Sequence, residues 1–234
     1  PLSHSKGTKL KLPRKKYSKA SSRLSKNIKK HFIFKKNSPT IVKKRYVDHV
    51  TGSKLFGIYN FNDDVLNKQN ETEFNKKLVN LIKKSDLIIV SDYGHGLISE
   101  KSAKLICKHS KFLALNAQVN AANIGYHTIR NYNNFNTLII NEKEIRHEMR
   151  DKITDVKNLI KKLSKEKNIK NLIVTRGSKG SILYNKYKGQ FFYCDGYATN
   201  VTDKIGAGDT MLSLIALCLK RNIDFDASLL ISSL

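Results

Sequence analysis

Near the C-terminal end of the chain stands Gly206-Ala207-Gly208-Asp209-Thr210, followed at once by an apolar run that includes Met211, Leu212, Leu214, Ile215, Ala216 and Leu217. Two glycines around an alanine at a helix start leave successive backbone N–H groups free to face an anion, and the helix dipole adds to the attraction. A carboxylate is a poor anion binder, so Asp209 in the same turn makes chemical sense as a general base beside a phosphoryl group in transfer. The same pattern also describes an ordinary helix N-terminus with an acidic first turn.

Two further constellations have chemical uses. Asn141-Glu142-Lys143-Glu144 follows the apolar run Leu138, Ile139, Ile140. Asn141 and Glu144 at i and i+3 share one helix face, and a single Glu can hold magnesium through water, because that ion keeps several of its waters. Read locally, the pair is equally a helix cap with a box-like partner. Val174-Thr175-Arg176-Gly177-Ser178-Lys179-Gly180 closes another apolar run. Ligands of open parallel sheets sit beyond the C-terminal strand ends, so Thr175 and Gly177 are candidates for a nucleotide contact, with an ordinary strand-to-strand turn as the alternative.

The elements that must position these residues alternate. Apolar runs at 86–92, 112–115, 138–140 and 172–175 predict buried strands of the parallel type. Between them, helical spacing predicts helices over 71–84, from Ser99 onward, over 142–149, and from a Thr154 cap through Val156, Leu159, Ile160 and Leu163. Strands at 181–184 and 191–194 flank a Lys- and Gly-containing turn, and a long helix runs over 207–220. This rhythm predicts βαβ units on a mostly parallel sheet flanked by helices, an α/β fold. Two more polar strands, 40–48 and 54–59, turn at Gly52 and stand outside the rhythm as a small β-hairpin that could cover the sheet.

Composition narrows the classes. The 234 residues are 40% hydrophobic, a globular value. No apolar run approaches the roughly 18 residues needed to span a bilayer, and no secretory leader pattern opens the chain, so the cytoplasm is the expected compartment. Cys107, Cys194 and Cys218 are scattered, without metal-site spacing. Lys and Arg number 44 against 19 acidic residues, a net charge of +25. The excess is mainly chain-wide Lys without interleaved stacking aromatics, so a nucleic-acid partner is not expected, although the field favours phosphorylated ligands. Residues 1–36 read as a basic tail or partial segment and 37–234 as the folded domain. The absence of an initial Met and the abrupt helical end at 225–234 suggest a piece of a longer protein.

The segment Thr202-Asp203-Lys204-Ile205-Gly206-Ala207-Gly208-Asp209 resembles the signature of ribokinase-like (PfkB) carbohydrate kinases, in which an Asp and two residues precede Gly-Ala-Gly-Asp. The resemblance runs from about 37 to 234 and implies a ribokinase-like fold with the hairpin 40–60 as a lid. It implies Asp209 as catalytic base, the N–H groups of Gly206, Ala207 and Gly208 as the hole for the transferred phosphate, and Asn141 and Glu144 beside ATP and Mg²⁺, Glu144 acting through water. It implies Thr175 and Gly177 at ATP and Asp203 in a loop that binds a monovalent cation such as K⁺. Lys204 departs from the Thr usual there.

Other segments resemble the bacterial heptose-phosphate kinase branch. Residues 39–48 look like its lid strand, with Lys43 and Arg45 available to a substrate phosphate. Ser91-Asp92-Tyr93-Gly94-His95-Gly96 looks like its substrate-facing loop, and Asn116-Ala117-Gln118 stands where a typical member has Asp-Pro-Lys; Asp92 and Asn116 are thus the implied sugar contacts. Basic strand edges discourage aggregation, an equal account of Lys43 and Arg45. The resemblance implies transfer of the ATP γ-phosphoryl group to a hydroxyl of a sugar or sugar phosphate, a heptose 7-phosphate among them, with a homodimer through the lid hairpin. This branch is often fused to a nucleotidyltransferase domain, yet Gly94-His95-Gly96 is not that domain's His-x-Gly-His motif, and His95 reads as a loop residue. Early sugar-binding strands with a Gly-Gly element and the adenine-side segment are missing from 1–234, so weak activity of this chain is expected. The alternatives are a non-catalytic nucleotide- or sugar-binding protein on a kinase scaffold and a basic nucleic-acid binder.

Overall fold

A computed structural model describes residues 27–35, 38–49, 54–118, 129–197 and 206–234. The chain divides into two units, Pro1–Phe34 and Lys35–Leu234. In the first, described residues 27–34 form neither helix nor strand. The expectations for Asp203, for Lys204 and for much of the N-terminal tail fall outside the described residues.

The second unit holds two sheets. Strands β1 (Val42–Val47) and β2 (Lys54–Asn60) make an antiparallel hairpin in which Lys43 faces Tyr59 and Tyr46 faces Phe56. The main sheet has the order β3 (Ile88–Asp92), β4 (Leu113–Ala117), β5 (Phe135–Asn141), β6 (Ile169–Thr175), β7 (Ser181–Asn185) and β8 (Gln190–Cys194). The first four run parallel, β7 pairs antiparallel with β6, and β8 pairs antiparallel with β7. This is the mostly parallel sheet with flanking helices that the alternation of runs predicts.

Helices α1 (Lys68–Lys83), α2 (Glu100–His109), α3 (Glu142–Met149), α4 (Val156–Glu166), α5 (Ala207–Lys220) and α6 (Phe225–Ser233) surround it. Their starts follow from local chemistry: Asn67, Ser99, Asn141 and Asp224 each place a side-chain oxygen on an N–H of the first turn. The cap of α4 is Asp155 rather than the expected Thr154. Thr154 is instead engaged by Asp151, whose carboxylate accepts from its N–H and hydroxyl. Helix α1 also begins earlier than residue 71, because the Asn67 side chain competes well for the free N–H of Asn70.

The two faces of the sheet are separated by strand alternation. Leu113, Leu115, Ala117, Leu138, Ile140, Leu172 and Val174 pack with Ile106, Ile145, Leu159, Ile160 and Leu163 of α2, α3 and α4. Ala114, Ile139, Ile173 and Leu183, the intervening residues, pack with Met211, Leu212, Ile215 and Ala216 of α5 and Leu229 of α6. Full burial of each large side chain contributes about 1.5–3 kcal/mol, so helix α5 is held against the sheet along its apolar length. That anchoring fixes where its N-terminal turn stands.

Candidate active site

Four of the sequence-derived candidates end adjacent parallel strands. Asp92 closes β3, Asn116 stands one residue before the end of β4, Asn141 closes β5 and Thr175 closes β6. Asp92 pairs in register with Ala117, and Asn141 with Thr175. The C-terminal edge of a parallel sheet is where ligands bind in such folds, and the first turn of α5 meets this edge.

Gly206 starts α5 with φ +84° and makes no side-chain cap. A non-glycine residue pays about 1–2 kcal/mol for that backbone region. A Cβ built at Gly206 or at Gly208 meets nothing within 4 Å. Among the described residues, the first N–H groups of the helix have neither a capping side chain nor a crowded approach, which suits an anion the size of a phosphoryl group.

Asp209 is half-buried in that turn. Ser91 Oγ donates to its Oδ1 at 2.8 Å and Tyr93 Oη donates to its Oδ2 at 2.8 Å. The Tyr93 phenol is pushed above its ordinary value of 10.0, first by burial and then by its bond to the Asp209 carboxylate, so it remains a donor at neutral pH. Lys43 of the hairpin lies 5.4 Å from the Tyr93 ring centre and 5.9 Å from that of Tyr59, cation–π distances that bring the hairpin to the same corner. Arg45, two residues on, is exposed.

Asp92 behaves differently. Its Oδ2 accepts from Tyr132 Oη at 2.7 Å and its Oδ1 from the Gly94 N–H at 3.0 Å. It is buried on the α2 side of the sheet, while Ser91 and Tyr93 serve Asp209 on the α5 side. Burial, then the Asp92 charge, drives the Tyr132 phenol well above the usual tyrosine range. Sequence reading singled out Asp92 and missed its two neighbours. The signal was present, since alternation puts residues 91 and 93 on one face and 92 on the other. Asn116, in register with Ser91, is buried; its Nδ2 donates to the Ile139 carbonyl at 3.0 Å and its Oδ1 has no partner among the described residues.

Asn141 and Glu144 form a reciprocal capping box: the Glu144 N–H donates to Asn141 Oδ1 at 2.8 Å and the Asn141 N–H to Glu144 Oε2 at 3.0 Å. Beside it, Glu142 accepts from Arg176 Nε and Arg146 Nη2, each at 3.0 Å. The Arg176 guanidinium, with Arg146 also contributing, holds the Glu142 carboxyl below the usual carboxylate range. This ion pair fastens the turn after β6, which contains Gly177 at φ +61°, to the start of α3. No cluster of three or more His, Cys, Asp or Glu suited to a metal occurs among the described residues. Glu144 is the carboxylate that the resemblance implies for a magnesium ion, and one carboxylate fits an ion carried largely by phosphate oxygens and water.

His95 lies in the loop that follows β3. Its Nδ1 lies 2.8 Å from Asp63 Oδ1, and its ring stands 4.9 Å from that of Phe61. Next to it, Gly96 has φ +77°, and a Cβ there would come 2.1 Å from the Asp64 carbonyl oxygen, so only glycine lets the loop lie against the segment that follows the hairpin.

Comparison with known proteins bears on the family and the fold. The family model described as pfkB family carbohydrate kinase matches residues 25–233, and the chain belongs to that family of carbohydrate kinases. The bifunctional protein HldE of Campylobacter jejuni strain RM1221 is 25% identical over 209 residues, covering 88% of this chain and 43% of its own length; the chain thus spans under half of that relative. Among solved structures, ribokinase from Thermotoga maritima superposes with a TM-score of 0.62 at 19% identity, over 84% of this chain and 61% of that one. Phosphofructokinase-2 from Escherichia coli in complex with potassium superposes with a TM-score of 0.58 at 12% identity, over 74% and 57%. Those two likenesses concern the fold. No helix among the described residues is long and apolar enough to cross a membrane.

Proposed function

We propose that the protein transfers the γ-phosphoryl group of ATP to a hydroxyl of a sugar or sugar phosphate, with Asp209 as the general base. The observation that carries this reading is the Asp209 carboxylate in the first turn of a helix that begins at Gly206, held by Ser91 and Tyr93 from the end of β3. Asp209 takes the proton of the acceptor hydroxyl as its oxygen attacks phosphorus. The N–H groups of Gly206, Ala207 and Gly208 hold the phosphoryl oxygens in place. Glu144 would hold Mg²⁺ through water, and the bound ion would offset phosphate charge. Thr175 and Gly177 border the nucleotide. Asp203 serves a monovalent cation such as K⁺.

Lys43 and Arg45 on the hairpin and Asn116 beside Ser91 bind the acceptor, and the two cations favour an acceptor that already carries a phosphate. A heptose 7-phosphate is the specific candidate, supported by the lid and loop sequences and by the HldE relative. That relative is described as bifunctional, which supports a second activity in a longer protein; the nucleotidyltransferase fusion implied by the sequence resemblance is the candidate for it. Three free thiols suit the reducing cytoplasm. Tyr46, Phe56 and Ile58 share the hairpin face opposite Lys43 and Tyr59, are 44%, 53% and 53% exposed, and include a stacked ring pair 4.5 Å apart; a second copy of the chain covers them in a homodimer. Residues 37–234 act as the kinase domain.

One observation favours a non-catalytic scaffold as the second reading: the Asn141 amide oxygen and Glu144 Oε2 are engaged with each other's backbone, where a kinase needs them for ATP and magnesium. ADP release with ATP and Mg²⁺ over a panel of sugars and sugar phosphates, heptose 7-phosphate included, separates the two. Release that depends on one acceptor supports the kinase. ATP binding without acceptor-dependent release supports the scaffold.

A further inference from the structure

The chain leaves the hairpin at Asn60 and reaches α1 through residues 61–67. This exit is fastened to the loop that follows β3. Asp63 Oδ1 lies 2.8 Å from His95 Nδ1, and the His95 ring stands 4.9 Å from that of Phe61. Gly96 lies against the Asp63 and Asp64 carbonyl oxygens too closely for any Cβ. A carboxylate only accepts, so Nδ1 carries the proton of the Asp63 bond. The His95 side chain is 8% exposed, and its Nε2 is buried with no partner among the described residues. Lys35 steadies the same exit, donating from Nζ to the Asn62 carbonyl at 2.8 Å and to Asn62 Oδ1 at 3.0 Å.

Resting on the reading of Asp209 as the base, we infer that Asp63 and His95 are positioning residues for phosphoryl transfer, a latch that holds the hairpin at the base. His95 stands two residues beyond Tyr93, whose hydroxyl is bonded to Asp209. The hairpin in turn places Lys43 5.4 Å from the Tyr93 ring centre. The loop 93–96 therefore meets the base at one end and the hairpin exit at the other. Loosening its join to the exit lets the hairpin, and the acceptor phosphate it holds, drift from Asp209, and small displacements of reacting groups are costly in rate. The latch can also let go. The bond on Nδ1 favours the closed arrangement, while a dry and unpaired Nε2 opposes it by a comparable amount. Opening gives Nε2 a water partner. A lid needs both properties, to close over an acceptor and to release a product.

The test compares the unaltered protein with His95→Ala, Asp63→Ala and Asp63→Asn. Amide hydrogen exchange needs no ligand. Strands β1 and β2 should exchange faster in both alanine variants while β4 and α5 keep their rates. Asp63→Asn, whose amide oxygen still accepts from Nδ1, should stay close to the unaltered protein. Unchanged hairpin exchange in the alanine variants, Asp63→Asn as fast as Asp63→Ala, or faster exchange throughout β4 and α5 each overturns the latch. ADP release is then measured with heptose 7-phosphate as acceptor. In the alanine variants kcat/KM for the acceptor should fall about tenfold or more, within the roughly 10²-fold that a small misplacement causes, while KM for ATP holds. Equal losses for both substrates, or no loss, overturn the positioning role and leave Asp209 as base. No acceptor-dependent release by the unaltered protein overturns the reading of Asp209 and the positioning role together.

Discussion

Ser91 and Asp209 are separated by 118 positions in the chain and joined by a 2.8 Å hydrogen bond. That bond spans the junction between the end of β3 and the first turn of α5, the two elements that carry the proposed chemistry. It works because α5 is clamped to the sheet by Met211, Leu212, Ile215 and Ala216, which leaves its N-terminal turn little freedom to drift.

Replacing the base should separate chemistry from binding. Asp209→Asn keeps the side-chain shape and removes the negative charge, so acceptor-dependent ADP release should fall by about 10²–10⁴-fold, the range of general-base contributions. ATP affinity, measured by calorimetry, should change little. A variant that turns over at the original rate would remove Asp209 from the mechanism.

Gly206→Ala tests the helix start. Its φ of +84° makes alanine unfavourable by about 1–2 kcal/mol, while the Cβ itself meets nothing. Denaturant unfolding should show a loss of that size, with transfer falling further than stability because the turn carrying the anion-binding N–H groups shifts.

Glu142 should make stability depend on acid in a defined direction. Arg176, then Arg146, hold its folded carboxyl below the ordinary 4.5. A depressed carboxylate contributes stability above its unfolded value and loses it as pH falls through the folded one. The unaltered protein should therefore melt higher than Glu142→Gln at pH 7, and the gap should shrink steadily as the pH is lowered below about 4.5. A gap that widens in acid would contradict the ion pair.

Tyr132→Phe removes a donor from Asp92, which is 7% exposed. Leaving a buried carboxylate short of a partner costs about 1–3 kcal/mol or more. Urea unfolding should show that loss with little change in the slope, and the effect on transfer should be smaller than that of Asp209→Asn, because Asp92 lies across the sheet from the base.

The exposed hairpin face gives a solution test. Phe56→Asp with Ile58→Asp places charge on the apolar surface that the proposed homodimer would cover. Sedimentation should show a dimer for the unaltered protein and a monomer for the double variant; identical sedimentation of the two would remove this face from the interface.

Much of the architecture could be read from the chain before folding. Apolar runs such as 138–140 and 172–175 bury on both faces of a sheet and admit few other readings. The Gly-Ala-Gly-Asp turn was legible through its family resemblance, because locally it reads equally as an ordinary helix start with an acidic first turn. Capping was less certain at its edges, as Thr154 and Asp155 show, since neighbouring short polar side chains compete for the same N–H groups.

What the sequence by itself determined was the alternation of strands and helices, the hairpin that stands apart, and the type of residue available at each strand end. Tertiary structure alone decided which of those residues meet. The family resemblance of the loop 91–96 pointed to Asp92 and gave Ser91 and Tyr93 no role of their own. Only the placement of α5 on one face of the sheet, driven by burial of its apolar side, brought Asp209 to the two hydroxyls and left Asp92 with Tyr132 on the other. Contacts between distant positions depend on packing across the whole core, and no local spacing encodes them.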